Sequence, residues 1–171
     1  MLQQMSEAEL RDLAKRFSMG RRAYQREEAM LKISRVLAER EPKYLTYFEL
    51  VRIAAFVDAQ LAAYASANEP NILKHTTEEA LALPAEQAVQ KLLGLSGVDV
   101  RVASLVLSLL DPENLPFLNR FAWTALFSTP KLRFSPEDYR RYRSAVAELR
   151  RGMRISAYDV SKALTVLGME R

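Results

Sequence analysis

Apolar residues recur at helical spacing along nearly the whole chain, and strict apolar–polar alternation of convincing length is absent. Ser6-Glu7-Ala8-Glu9 has the pattern of a capping box, in which a hydroxyl and a carboxylate satisfy the free N–H groups of a new helix. It predicts a first helix to about Phe17. After a break at Met19-Gly20, Met30, Ile33 and Leu37 mark one face of a longer helix that ends near Arg40, with Pro42 as its stop. Thr46-Tyr47-Phe48-Glu49 is a second capping box, and Leu50, Ile53, Ala54, Val57, Leu61 and Tyr64 continue one helical face beyond it. Asn68-Glu69-Pro70-Asn71 reads as a loop, and Thr76-Thr77-Glu78-Glu79 as the start of a helix to Leu83. Pro84 opens the next helix.

Between Val100 and Leu110 only Arg101, Ser104 and Ser108 are polar, so this helix is expected to be central, with one narrow exposed stripe. Asp111–Pro116 is rich in turn residues, and a short helix is expected over Phe121 to Phe127. Ser135-Pro136-Glu137-Asp138 combines a capping Ser with Pro in the first turn, a strong helix start. Tyr139, Tyr142, Val146 and Leu149 form the apolar face that follows. Tyr139 and Tyr142, like Phe117, Phe121 and Trp123, are expected to pack in the core rather than to stack on bases. Ser156 starts a last helix to about Gly168. The expected architecture is one all-α domain over residues 1–171.

Composition narrows the chemistry. The 171 residues are 49% hydrophobic and 27% charged, ordinary for a globular domain, and no apolar run approaches a bilayer-spanning length. Met1-Leu2-Gln3-Gln4-Met5 lacks the basic-then-apolar order of a signal peptide, so a cytoplasmic location is expected and membrane association is not. The absence of cysteine excludes disulfides, thiolate nucleophiles and cysteine metal sites. With a single histidine no multi-histidine metal site can form, and no cofactor is expected. That residue, His75, is expected at the surface beside the Thr76 helix start.

The segment Leu92-Leu93-Gly94-Leu95-Ser96-Gly97-Val98-Asp99-Val100-Arg101-Val102-Ala103-Ser104 carries the most functional information. It reads as a helix, a glycine-centred turn and a second helix, placing a helix–hairpin–helix at about residues 86–110. Glycine in such a turn lets backbone approach a phosphate, and the first N–H groups of the second helix face the anion. Ser96, Gly97, Val98, Asp99 and Arg101 are therefore the candidate DNA-binding residues of the hairpin. Such contacts hold the phosphate backbone without reading sequence.

This segment resembles the hairpin of the helix–hairpin–helix DNA glycosylase superfamily, the endonuclease III type, and the resemblance is firmest over Leu92 to Leu126. It implies an all-α, glycosylase-like helical domain and a role on DNA. It also implies chemistry at two positions, and both depart from the family. The position of the Schiff-base lysine of bifunctional members holds Arg101, which stays protonated and is no amine nucleophile. Pro116-Phe117-Leu118-Asn119 fits the stretch that carries the catalytic aspartate, 16 residues after Ala103, and ends in Asn119. A neutral amide supplies neither the charge nor the basicity of that aspartate. Asp99 replaces the second hairpin glycine; its carboxylate suits a helix cap and would repel an arriving phosphate.

Charge is uneven: residues 1–100 carry a net −1 and residues 101–171 a net +5. On a regular helix, Arg140, Arg143, Arg150, Arg151 and Arg154 would share about a third of the circumference. With Lys131 and Arg133 nearby they could track a phosphate backbone, or form a solvated face partly paired with Glu137, Asp138 and Glu148. Three functions follow as expectations. The leading one is a glycosylase-like protein without catalysis that binds nucleic acid through its basic side. The second is an active base-excision enzyme using Asp58, Asp99 or Asp111 in place of Asn119. The third is a scaffold for a protein partner. A basic groove around Gly97 and Asn119 favours nucleic acid; an acidic or filled one favours the scaffold.

Overall fold

Capping sets most of the helix boundaries in the computed structural model, which describes residues 5–170. Met1–Gln4, on which the expectation about a signal peptide falls, lie outside it. Among the described residues there are ten α-helices and no strand. They are α1 (Glu7–Phe17), α2 (Arg21–Glu39), α3 (Tyr47–Val57), α4 (Ala59–Ala65), α5 (Pro70–Leu81), α6 (Ala85–Leu92), α7 (Val100–Leu110), α8 (Arg120–Phe127), α9 (Pro136–Leu149) and α10 (Ala157–Met169). Reciprocal capping boxes start α1 at Ser6 and α3 at Thr46, as their sequences predict, and the expected Ser135 cap of α9 is joined by Asp138 into a third. None of the helices is long and apolar enough to cross a membrane.

The core is built around α7, in which every residue from Val102 to Leu109 is buried. Helices α2, α3 and α6 pack on it, α3 against α4 and α5 against α6, while α10 makes its broadest contacts with α1 and α8. The approach of α10 to α8 is close enough that a Cβ on Gly168 would run into the backbone of Phe121. Tyr139, Tyr142, Phe117 and Trp123 are buried, as expected. Phe121 is only half-buried.

Four expectations are corrected. The helix from Thr46 does not reach Tyr64: Asp58 adopts an extended backbone and its side chain caps a new helix at Gln60 N. The helix expected from Thr76 begins six residues earlier, at Pro70, because Glu69 accepts from both Asn71 N and Ile72 N. His75 is consequently mid-helix; it is exposed and pairs with Glu79 at 3.0 Å. The serine stripe of α7 is not exposed: Ser104 and Ser108 are fully buried, Ser104 through backbone hydrogen bonds and Ser108 without a partner. Finally, α9 stops at Leu149, so Arg150, Arg151 and Arg154 do not prolong its face.

Candidate functional site

The hairpin turn is built for packing. Its Ser96 N–H donates to Asn68 Oδ1 at 3.0 Å, and Asn68 Nδ2 donates back to Ser96 O at 2.8 Å. Gly97 has φ +73°, and a Cβ there would collide with the backbone of Leu61 and Ala65. Glycine is thus required twice, for a left-handed conformation and for the close approach of α4. Val98 is buried. Asp99 completes the seal: its Oδ1 accepts from Arg101 N at 2.9 Å and Val102 N at 3.1 Å, and its Oδ2 accepts from Arg101 Nε at 2.8 Å. The amides that would face a phosphate at the start of α7 already hold a carboxylate.

The loop carrying Asn119 is held just as firmly, mainly by hydroxyls. The buried Tyr139 donates to Pro116 O at 3.1 Å, Phe117 N donates to Ser161 Oγ at 3.1 Å, and Leu118 N donates to Ser104 Oγ at 2.9 Å. Tyr142 adds a 3.3 Å bond to Ser161 Oγ. Burial pushes the phenols of Tyr139 and Tyr142 far above their ordinary titration range, which keeps both as donors. Asn119 itself uses both ends of its amide. Oδ1 caps α8 by accepting from Phe121 N at 3.0 Å and Ala122 N at 2.9 Å, and Nδ2 donates to Thr165 Oγ1 at 2.8 Å.

Asn119 and Arg101 meet in one cleft of about 1050 Å³, formed by the ends of α1, α3, α8 and α10 with the start of α2. The rings of Phe56, Phe17 and Phe117 follow one another at 6.5 and 6.2 Å between centroids and give it an aromatic wall. Four arginines line it: Arg16, Arg26, Arg101 and Arg120. Arg16 pairs with Glu170, and Arg101 pairs with Asp99 at 2.7 Å. Arg26 donates to Phe56 O at 2.8 Å and Arg120 lies 4.5 Å over the Phe121 ring; neither pairs with a carboxylate. Arg21 and Arg22, adjoining the lining residue Ala23, and Arg133, beside the lining residue Leu132, are exposed and also lack carboxylate partners among the described residues. The cleft is neither filled nor acidic.

Arg140, Arg143, Arg150 and Arg151 lie elsewhere. Arg140 pairs with Glu137 at 2.6 Å, Arg143 with Glu86 at 3.1 Å, Arg150 with Glu113 at 3.3 Å, and Arg151 with Glu148; none lines the cleft. Lys131 pairs with Asp138 at 2.6 Å. Of the three candidate carboxylates, Asp58 lines the cleft, Asp99 is committed to α7 and Arg101, and Asp111 binds Asn114 outside it. Among the described residues no three His, Asp or Glu converge to hold a metal ion.

Sequence reading alone missed Arg16, Arg26 and Arg120. Arg120 had a signal, since it directly follows Asn119. Arg26 had none, because only tertiary packing brings α2 to this cleft. Compared with protein-family models, curated proteins and solved structures, the chain matches none of them.

Proposed function

We propose that this protein binds nucleic acid, DNA foremost, through the arginine-edged cleft, as a helix–hairpin–helix glycosylase-like protein that does not excise bases. One observation carries the reading: Arg26 and Arg120, without carboxylate partners among the described residues, share a cleft with an aromatic wall and with Asn119. Guanidinium forks suit phosphate oxygens, and aromatic rings accept bases without sequence preference. Arg21, Arg22 and Arg133 extend the positive charge beside it. Glycosidic cleavage calls for a carboxylate beside the sugar, and Asn119 is an amide committed to the α8 cap and Thr165.

The test is fluorescence anisotropy with labelled single-stranded and duplex DNA over a salt series. The expected result is binding at low ionic strength that weakens steeply with salt, with no base release from uracil or oxidised-base substrates and no strand cleavage of abasic ones. Absence of binding at low salt removes the proposal. Asp58 supports a second reading, an active enzyme, because it is the one candidate carboxylate that lines the cleft. Its Oδ1 already accepts from Gln60 N at 2.7 Å. Base release that Asp58→Asn abolishes establishes this second reading.

A further inference from the structure

We infer that the cleft receives the phosphomonoester of a nucleotide, from a free mononucleotide or from the phosphorylated end of a strand, held by Arg26, Asn119 and Arg120. This rests on the assignment of nucleic acid to the cleft and names the group that enters it. Three observations point there.

The first is the charge left over. Arg16 and Arg101 are neutralised by Glu170 and Asp99, whereas no carboxylate among the described residues pairs with Arg26 or Arg120. Both free guanidiniums are nevertheless held, Arg26 by Phe56 O and its ring, Arg120 by the Phe121 ring. A held fork loses less entropy on binding an anion. The second is Asn119. One N–H of its amide goes to Thr165, and the other has no acceptor among the described residues. A carboxylate there would repel an anion entering the cleft; the amide donates to it.

The third is the hairpin. Asp99 occupies the N–H groups of Arg101 and Val102 at the start of α7 and places a carboxylate where an internal phosphate would arrive, whereas the cleft offers side-chain donors with no such carboxylate on them. An internal phosphodiester carries about one negative charge, a monoester about −1.5 to −2 with three acceptor oxygens. Two uncompensated guanidiniums and one amide N–H match the monoester.

The test compares oligothymidylates with 5′-phosphate, 3′-phosphate or hydroxyl ends by anisotropy, with adenosine monophosphate and adenosine as competitors. One of the phosphorylated ends is expected to bind about tenfold tighter than hydroxyl ends, with competition by the monophosphate and none by adenosine. Arg26→Gln and Arg120→Gln erase the preference while circular dichroism stays unchanged. Asn119→Asp keeps an α8 cap and lowers affinity for the monoester. The preference shrinks below about pH 6, where the ester takes up a proton. The charged groups around it are Arg16, Arg26, Asp58, Arg101, Arg120 and Glu170, and no histidine lines the cleft.

Equal affinity for phosphorylated and hydroxyl ends overturns the inference and leaves nucleic-acid binding standing. Monophosphate binding without oligonucleotide binding supports the phosphate site and removes the wider function. No binding of either overturns both.

Discussion

The hairpin turn and the Asn119 loop are the two places where the family resemblance puts function, and the fold treats them oppositely. In the turn, much of what would meet a phosphate is taken up internally: Gly97 is packed on α4, Ser96 N–H is bonded to Asn68, and Asp99 holds the N–H groups of Arg101 and Val102 at the start of α7. At Asn119 the backbone is equally fixed, but the side chain borders about 1050 Å³ of space with cations around it. Rigidity alone therefore does not mark a binding site. What separates the two regions is whether rigid groups are satisfied from inside or left with unmet donors facing a cleft.

The largest expected effect tests the sealed turn. Gly97→Ala forces a Cβ into the backbone of α4 at a positive φ, and should cost about 3 kcal/mol in urea unfolding. Gly94→Ala, where the nearest backbone atom is Lys91 O at 3.3 Å, should cost under about 1 kcal/mol. Similar losses at both positions would break the account of the turn. Next comes the Asn119 loop. Ser104→Ala removes the acceptor of the buried Leu118 N–H and should cost about 2 kcal/mol by the same measurement.

Asp99→Ala should cost about 1 kcal/mol through loss of the α7 cap. It should also unseal the hairpin, so that DNA affinity at low salt rises and the salt slope steepens by about 0.7–0.9, one phosphate contact. An unchanged slope contradicts Asp99 as the internal anion.

The smallest effect lies outside both regions. Burial pushes the Glu49 carboxyl up, but hydrogen bonds from Arg40 and from the Thr46 backbone outweigh it, leaving Glu49 below its ordinary value. That stabilisation is present above the unfolded carboxylate pKa, near 4.3, and is lost as pH falls through the lower folded value. Glu49 is partly exposed, so the loss should be under about 1 kcal/mol between pH 5 and pH 3. Urea midpoints of wild type and Arg40→Gln over that range check it, the variant being the less pH-dependent.

The sequence reveals local rules well and long-range ones poorly. The caps at Ser6, Thr46 and Ser135 are local and appear where their residues predict. Asp58 and Glu69 act as caps against an apolar periodicity that runs through them, and periodicity alone cannot show which wins. Ser104 looks like a surface residue because its partners, Arg101 O and Leu118 N, are backbone groups with no sequence signature. The cleft was half legible. The resemblance to the glycosylase superfamily points to Asn119 and Arg101, but a net charge of −1 over residues 1–100 conceals the local cluster of Arg21, Arg22 and Arg26. Arg140, Arg143, Arg150 and Arg151 of the +5 half carry a basic pattern that Glu137, Glu86, Glu113 and Glu148 neutralise in space.

The most direct test of the contrast between turn and cleft is residue-resolved backbone amide NMR during titration with a 5′- or 3′-phosphorylated single-stranded oligonucleotide. The account predicts shift changes at Arg26, Asn119 and Arg120, with Ser96 to Val100 unmoved. Changes centred on Ser96 to Val100, with the cleft silent, would contradict it.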